Sequence, residues 1–210
     1  MSSAPDWATR FEAILRERLG PDGSHDLGHF RRVWRMAQEI AAEEGGDREV
    51  LAAAAWFHDL VNPPKDSPDR SRGSALSAEA AAPVLLAEGF PKEKLPAVRH
   101  AIIAHSFSAG IAPETLEARI LQDADRLDAL GAIGIARMFY VAGRMGSSLF
   151  HPDDPLASDR PLDDRAFSLD HLQTKLFPIA ETMNTATGRR IAAKRAALMR
   201  SFVGDLVAEI

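Results

Sequence analysis

Apolar residues return every third or fourth position along nearly the whole chain, and no alternating strand of useful length interrupts them. Trp7, Phe11, Ile14, Leu15 and Leu19 follow this step, as do Val33, Met36, Ala37 and Ile40, and then Val50, Ala53, Ala54 and Phe57. Such a period gives each segment one apolar stripe, which is buried only by packing helix on helix. Further helices are expected over about Ser74–Glu88, Pro91–Ala104, Pro113–Leu121 and Arg126–Gly143. A last one runs from about Ala186 to the C-terminus, capped by Asn184 or Thr185. The spacing predicts an all-α helical bundle. A chain of 210 residues with 46 % hydrophobic residues can bury one sizeable core, so residues 1–210 are expected to form a single domain with a C-terminal helical extension.

Glycine and proline divide the pattern. Gly20-Pro21-Asp22-Gly23 and Gly45-Gly46-Asp47 separate helices. Asn62-Pro63-Pro64-Lys65-Asp66-Ser67-Pro68 ends the helix that carries His58-Asp59, because proline cannot continue helical hydrogen bonding. Residues 143–165 are rich in Gly, Pro and Asp and long for a plain connection; they read either as a lid over an active site or as a mobile surface loop. C-terminal helices are expected over about 166–210.

Composition excludes several classes of function. The net charge of −5 leaves no broad basic field for nucleic acid, though a small anionic substrate depends on local charge instead. With no cysteine there is no disulfide, thiolate zinc site or cysteine nucleophile. The longest apolar runs are too short to span a membrane, and Met1–Asp6 lacks a basic and an apolar leader region, so a cytoplasmic location is expected.

The chemistry-bearing residues lie in separate stretches. His29 opens a helix whose apolar stripe continues through Val33. His58-Asp59 ends the run Ala52–Phe57; neighbours on a helix point about 100° apart, so both reach one ion only near a helix end, which the proline break supplies. Asp125 sits between apolar Ile120-Leu121 and Leu127, where a carboxylate needs a partner, and a metal is a good one. Asp128, three residues on, shares its face and is placed to hold a ligating histidine or a water. His25-Asp26 is a second His-Asp pair, read as supporting or helix-capping residues. Imidazoles with carboxylates suit Mn²⁺, Fe²⁺, Co²⁺, Ni²⁺ or Zn²⁺ better than Ca²⁺ or Mg²⁺. His100 and His105 are candidates for a second cation, or for phosphate contact and proton transfer. They are five apart, so either a helix end intervenes or only one faces the site. Arg32, Lys65, Arg72 and Lys175 are candidate phosphate contacts, and His171 lies one helical turn before Lys175.

Together these residues resemble the HD-domain superfamily of metal-dependent phosphohydrolases, and more narrowly the stand-alone bacterial HD proteins of the YedJ type. The likeness rests on His29 with Arg32-Val33, on His58-Asp59-Leu60-Val61, on Ala104-His105-Ser106-Phe107-Ser108, on Gln122 to Gly134 and on Asp170 to Leu176, extended by Thr182-Met183-Asn184-Thr185. It covers nearly the whole chain. It implies an all-α HD core over about 22–142 and a cation on His29, His58, Asp59 and Asp125. Asp59, His100, His105 and Asp128 are the expected catalytic residues; Lys65, Arg72, His171 and Lys175 are the expected substrate contacts. Mn²⁺ is the favoured metal, with Fe²⁺, Co²⁺, Ni²⁺, Zn²⁺ or Mg²⁺ as alternatives. The substrate is expected to be a small phosphate ester or phosphoanhydride, foremost a nucleotide, with no stable nucleic-acid or membrane partner; a homodimer is also considered. The Glu-Asp pair of the guanosine tetraphosphate hydrolases and the Gly-Tyr-Pro signature of the cyclic-dinucleotide phosphodiesterases are both missing, which argues against those substrates. Two alternatives remain: a nucleotide-binding sensor with weak turnover, and a di-iron oxygenase that needs both His100 and His105 on metal.

Overall fold

In the computed structural model of the chain, the described residues are 6–18, 26–61, 63, 69–106 and 109–210. Leu19, the Gly20–Gly23 break, His25, Lys65 and most of the proline-rich segment around it lie outside them. The described residues form helices α1 (Trp7–Arg18), α2 (Leu27–Glu44), α3 (Arg48–Phe57), α4 (Gly73–Ala87), α5 (Leu95–His105), α6 (Leu116–Asp128), α7 (Gly131–Met145), α8 (Phe177–Ala180) and α9 (Ala186–Ala208). The only β pairing among them is an isolated bridge between Ser148 and Phe167, so the protein is all-α. None of these helices is long and apolar enough to cross a membrane.

The chain divides into two compact units, Met1–Asp125 and Arg126–Ile210. In the first, α3 is the central rod: every residue from Val50 to Phe57 is buried, and α1, α2, α4 and α5 all pack on it. Burial on all sides explains its lack of a polar stripe. Phe11 of α1 meets Phe57 edge-on at 5.0 Å between ring centres. Trp7 is 5.3 Å from Phe90 in the same manner, a geometry that adds to simple area burial. The helix starts are written in the sequence. The Asp26 carboxylate accepts from the His29 N–H at 2.9 Å and so caps α2. The Asp47 carboxylate accepts from the N–H groups of Glu49 and Val50 and caps α3.

In the second unit α7 packs on α9, and α8 joins α9 to a π-helical turn at Leu172–Leu176. One boundary differs from expectation. Instead of helices at Pro113–Leu121 and Arg126–Gly143, α6 runs unbroken to Asp128 and the break falls at Ala129-Leu130. Gly131 permits it, since its φ of 73° would be costly for any residue with a Cβ. Gly134 then allows the next turn to close, because a Cβ there would lie 2.2 Å from the Ala129 carbonyl oxygen.

Residues 146–169 are neither helix nor featureless loop. The Asp154 carboxylate accepts from the Ser158 and Asp159 N–H groups, both at 2.9 Å. Arg160 grips the buried Asp170 carboxylate in a two-pronged pair at 2.6 and 2.7 Å, and its guanidinium lies over the Phe167 ring at 4.6 Å. A fork-to-carboxylate pair of this kind is among the stronger polar contacts. Burial resists ionisation of Asp170, but the Arg160 hydrogen bonds outweigh it and hold the carboxyl below its ordinary range.

Candidate metal centre

The two capped helices and the helix end after α3 bring distant donors together. Capping by Asp26 sets His29 in the first turn of α2, with its ring 1 % exposed. The space beside Gly28 is taken by the Asp26 carboxylate and the Arg32 guanidinium, which brace that turn. His58 follows the last residue of α3 and is wholly buried. Its Nδ1 lies 2.9 Å from the Ala55 carbonyl oxygen, an acceptor only, so Nδ1 carries the proton and Nε2 presents a lone pair. That lone pair faces His29 Nε2 at 3.1 Å. Asp125 Oδ1, from α6, lies 3.6 Å from His29 Nε2 and 3.8 Å from His58 Nε2. Asp59 Oδ2 is 3.7 Å from His58 Nε2, and its Oδ1 is 3.5 Å from His105 Nε2.

Among the described residues two such groups of donors lie within mutual reach and could hold a metal ion: His29, His58 and Asp125, and then His58, Asp59 and His105. Donors about 2.1 Å from one ion and at right angles sit about 3.0 Å apart, close to the separation of the two imidazole nitrogens. The backbone anchor on His58 is the usual device for aiming a ligating imidazole. The donors fit a divalent cation. The imidazoles are buried, whereas the side chains of Asp59 and Asp125 are 21 % and 29 % exposed, so the cluster opens to solvent on its carboxylate side.

The electrostatics match this burial. Desolvation pushes the His58 imidazole down to about 4, against the pull of Asp59 and Asp125 and with the help of His105 and His29. Burial also opposes charge on His105, but the hydrogen bond and charge of Asp59 prevail and its pKa is raised. For Asp59, desolvation is overcome by the surrounding imidazoles, His58 first, and its carboxyl is held far below the ordinary carboxylate range.

Other expected residues have partners of their own. His105 is the last residue of α5, but His100 Nε2 accepts a hydrogen bond from the Glu114 N–H at 3.0 Å. Five residues along a helix turn the two rings to different sides, and His105 is the one that groups with the donors among the described residues. Asp128, 4 % exposed, is held by Arg137 at 2.8 Å in the second unit. Arg72 pairs with Asp69 at the surface. His171 Nδ1 lies 2.8 Å from Asp164 Oδ2, which also accepts from Thr174 Oγ1 at 3.1 Å. His171 directly precedes the π-helical turn Leu172–Leu176, which contains Lys175. Two further buried groups lie near the donors, Gln122 in the stretch that carries the family likeness and Ser77 in the alanine-rich helix. Gln122 donates from Nε2 to the Ala104 carbonyl at 2.7 Å, tying α6 to the end of α5. Ser77 of α4 bonds the backbone of Val61.

Comparison with known proteins identifies the family. The HD domain model matches residues 26–130. YpgQ of Bacillus subtilis is 34 % identical over 214 residues, covering 100 % of this chain and 95 % of YpgQ. The crystal structure of that protein in complex with ADP superposes with a TM-score of 0.76, at 32 % identity over 97 % of each chain. An HD-superfamily hydrolase from Bacillus thuringiensis gives a TM-score of 0.72 at 30 % identity, covering 97 % of this chain and 94 % of the other. The chain belongs to the HD-domain family, and with it to the metal-dependent phosphohydrolases.

Proposed function

We propose that this enzyme hydrolyses a phosphate ester or phosphoanhydride of a small metabolite, foremost a nucleotide, with Mn²⁺ favoured as the cation on His29, His58, Asp59 and Asp125. One observation carries the reading: His29 and His58 turn their Nε2 atoms toward each other at 3.1 Å, with Asp125 Oδ1 beside both. When bound, a divalent cation lowers the pKa of a coordinated water and polarises a phosphoryl oxygen. The chain supplies the rest. The Ala55 carbonyl keeps the His58 proton on Nδ1. Asp59 and Asp125 offset cationic charge on the solvent-facing side, where a phosphorylated substrate enters. His105, whose Nε2 lies 3.5 Å from Asp59 Oδ1, would hold a proton for the reaction or contact a phosphoryl oxygen. The ADP held by YpgQ supports a nucleotide as the substrate class. Lys65, Arg72, His171 and Lys175 remain the proposed contacts for its phosphates.

The test is hydrolysis of a panel of nucleotides and sugar phosphates with several divalent cations. Activity stimulated by Mn²⁺ and lost in His58→Ala and Asp125→Ala is expected. Full activity in either variant refutes the ligand assignment, and tight nucleotide binding without product over long incubation would favour the sensor.

A further inference from the structure

Helix α4 reaches back to the chain just past His58-Asp59, at two points on one of its faces. A serine inside a helix usually faces water or bonds a carbonyl of its own preceding turn. Ser77 does neither: it is fully buried, its hydroxyl accepts from the Val61 N–H at 3.1 Å and donates to the Val61 carbonyl at 3.0 Å. One hydroxyl thus satisfies both backbone groups of one residue, two positions after Asp59. One turn earlier on the same face, Gly73 admits the ring of Pro63. A Cβ on Gly73 would lie 3.1 Å from Pro63 Cδ and 3.7 Å from the Val61 carbonyl oxygen. α3 has already ended at Phe57, and Leu60 N–H reaches the Phe57 carbonyl only at 3.3 Å. The path of the chain beyond Asp59 is therefore set from α4.

We propose that Ser77 is a positioning residue: its clasp on Val61 holds Asp59 in the pose from which the carboxylate meets a cation shared with His58. The inference rests on the reading of Asp59 as a metal ligand. Asp59 spreads its two oxygens between His58 and His105 at 3.7 and 3.5 Å, so a small shift of its backbone moves both contacts together. Supporting groups that orient metal ligands are commonly worth about 10- to 100-fold in metal affinity.

The experiment is direct Mn²⁺ titration of the metal-free full-length protein, by calorimetry and by the electron paramagnetic resonance of free Mn²⁺. The variants are Ser77→Ala, Gly73→Ala, Asp59→Asn and Glu79→Gly. Ser77→Ala keeps a good helix former and is expected to weaken Mn²⁺ binding about 10-fold or more. Gly73→Ala, which presses on Pro63 instead, is expected to weaken it in the same direction. Glu79→Gly loosens the exposed face of α4 without touching Val61 and is expected to leave the affinity unchanged. Wild-type affinity in Ser77→Ala, alongside weak binding in Asp59→Asn, overturns the role of Ser77. Equal weakening in Glu79→Gly overturns it too, because helix stability alone would then account for the effect. Wild-type affinity in Asp59→Asn removes the underlying ligand reading itself.

Discussion

The buried His58 makes the metal-free protein sensitive to mild acid in a way that can be calculated. Its imidazole is held at about 4 in the folded chain against an ordinary 6.5. Between these values the unfolded chain binds a proton that the folded chain refuses. Stability from this group is thus fully present above about pH 6.5 and is lost as pH falls toward 4. The whole gap corresponds to about 3 kcal/mol, at about 1.4 kcal/mol per pH unit. From about pH 7.5 to about pH 5 the loss is about 2 kcal/mol. The assay is urea denaturation with a chelator present, at both pH values, for the wild type and His58→Gln. His105, whose pKa is raised, acts in the opposite direction but is present in both proteins. The wild type is expected to lose about 2 kcal/mol more than the variant over this interval. Parallel pH dependence in the two proteins would refute the argument that desolvation of His58 governs the cluster's protonation.

Two further outcomes concern structure outside the donors. Arg160→Ala leaves the Asp170 carboxylate, 1 % exposed, without its fork; a loss of about 3–5 kcal/mol is expected by chemical denaturation, and a loss below about 1 kcal/mol would show that the pair behaves as a surface contact. Gln122→Leu preserves volume but strands the Ala104 carbonyl beside His105; a cost of about 1–3 kcal/mol is expected, read from the thermal midpoint of the metal-free protein, and an unchanged midpoint would contradict it.

Much of this was legible in the residues because two periodic signals coincided. The apolar step of α1, α2 and α3 gave the helices, and the proline-rich segment from Pro63 signalled that a helix end lies close to His58-Asp59. The spacing of His100 and His105 left two readings open, a helix end between them or only one of them facing the site. That choice depends on the Glu114 N–H, fourteen residues away in a turn with no periodic mark. The division between α6 and α7 was missed although Gly131 stood in plain view, since the apolar pattern from Leu127 to Ile135 runs across it. Ser77 lay hidden within an alanine-rich helix, where a single polar residue reads as neutral. The order within 146–170 was equally invisible. It comes from the grip of Arg160 on Asp170 and the turn around Asp154, contacts that follow no repeat.

The donors are drawn from the start of α2, the end of α3 and the body of α6. A cation on them would fasten residue 29 to residue 125 as a removable cross-link, closing a chain loop much as a disulfide does. A chain with no cysteine would thereby gain a long-range cross-link from the ion, and that link can be cut and remade by chelation. Protease resistance across the first unit would then rise and fall with metal supply, making the fold itself a gauge of the ion available to it.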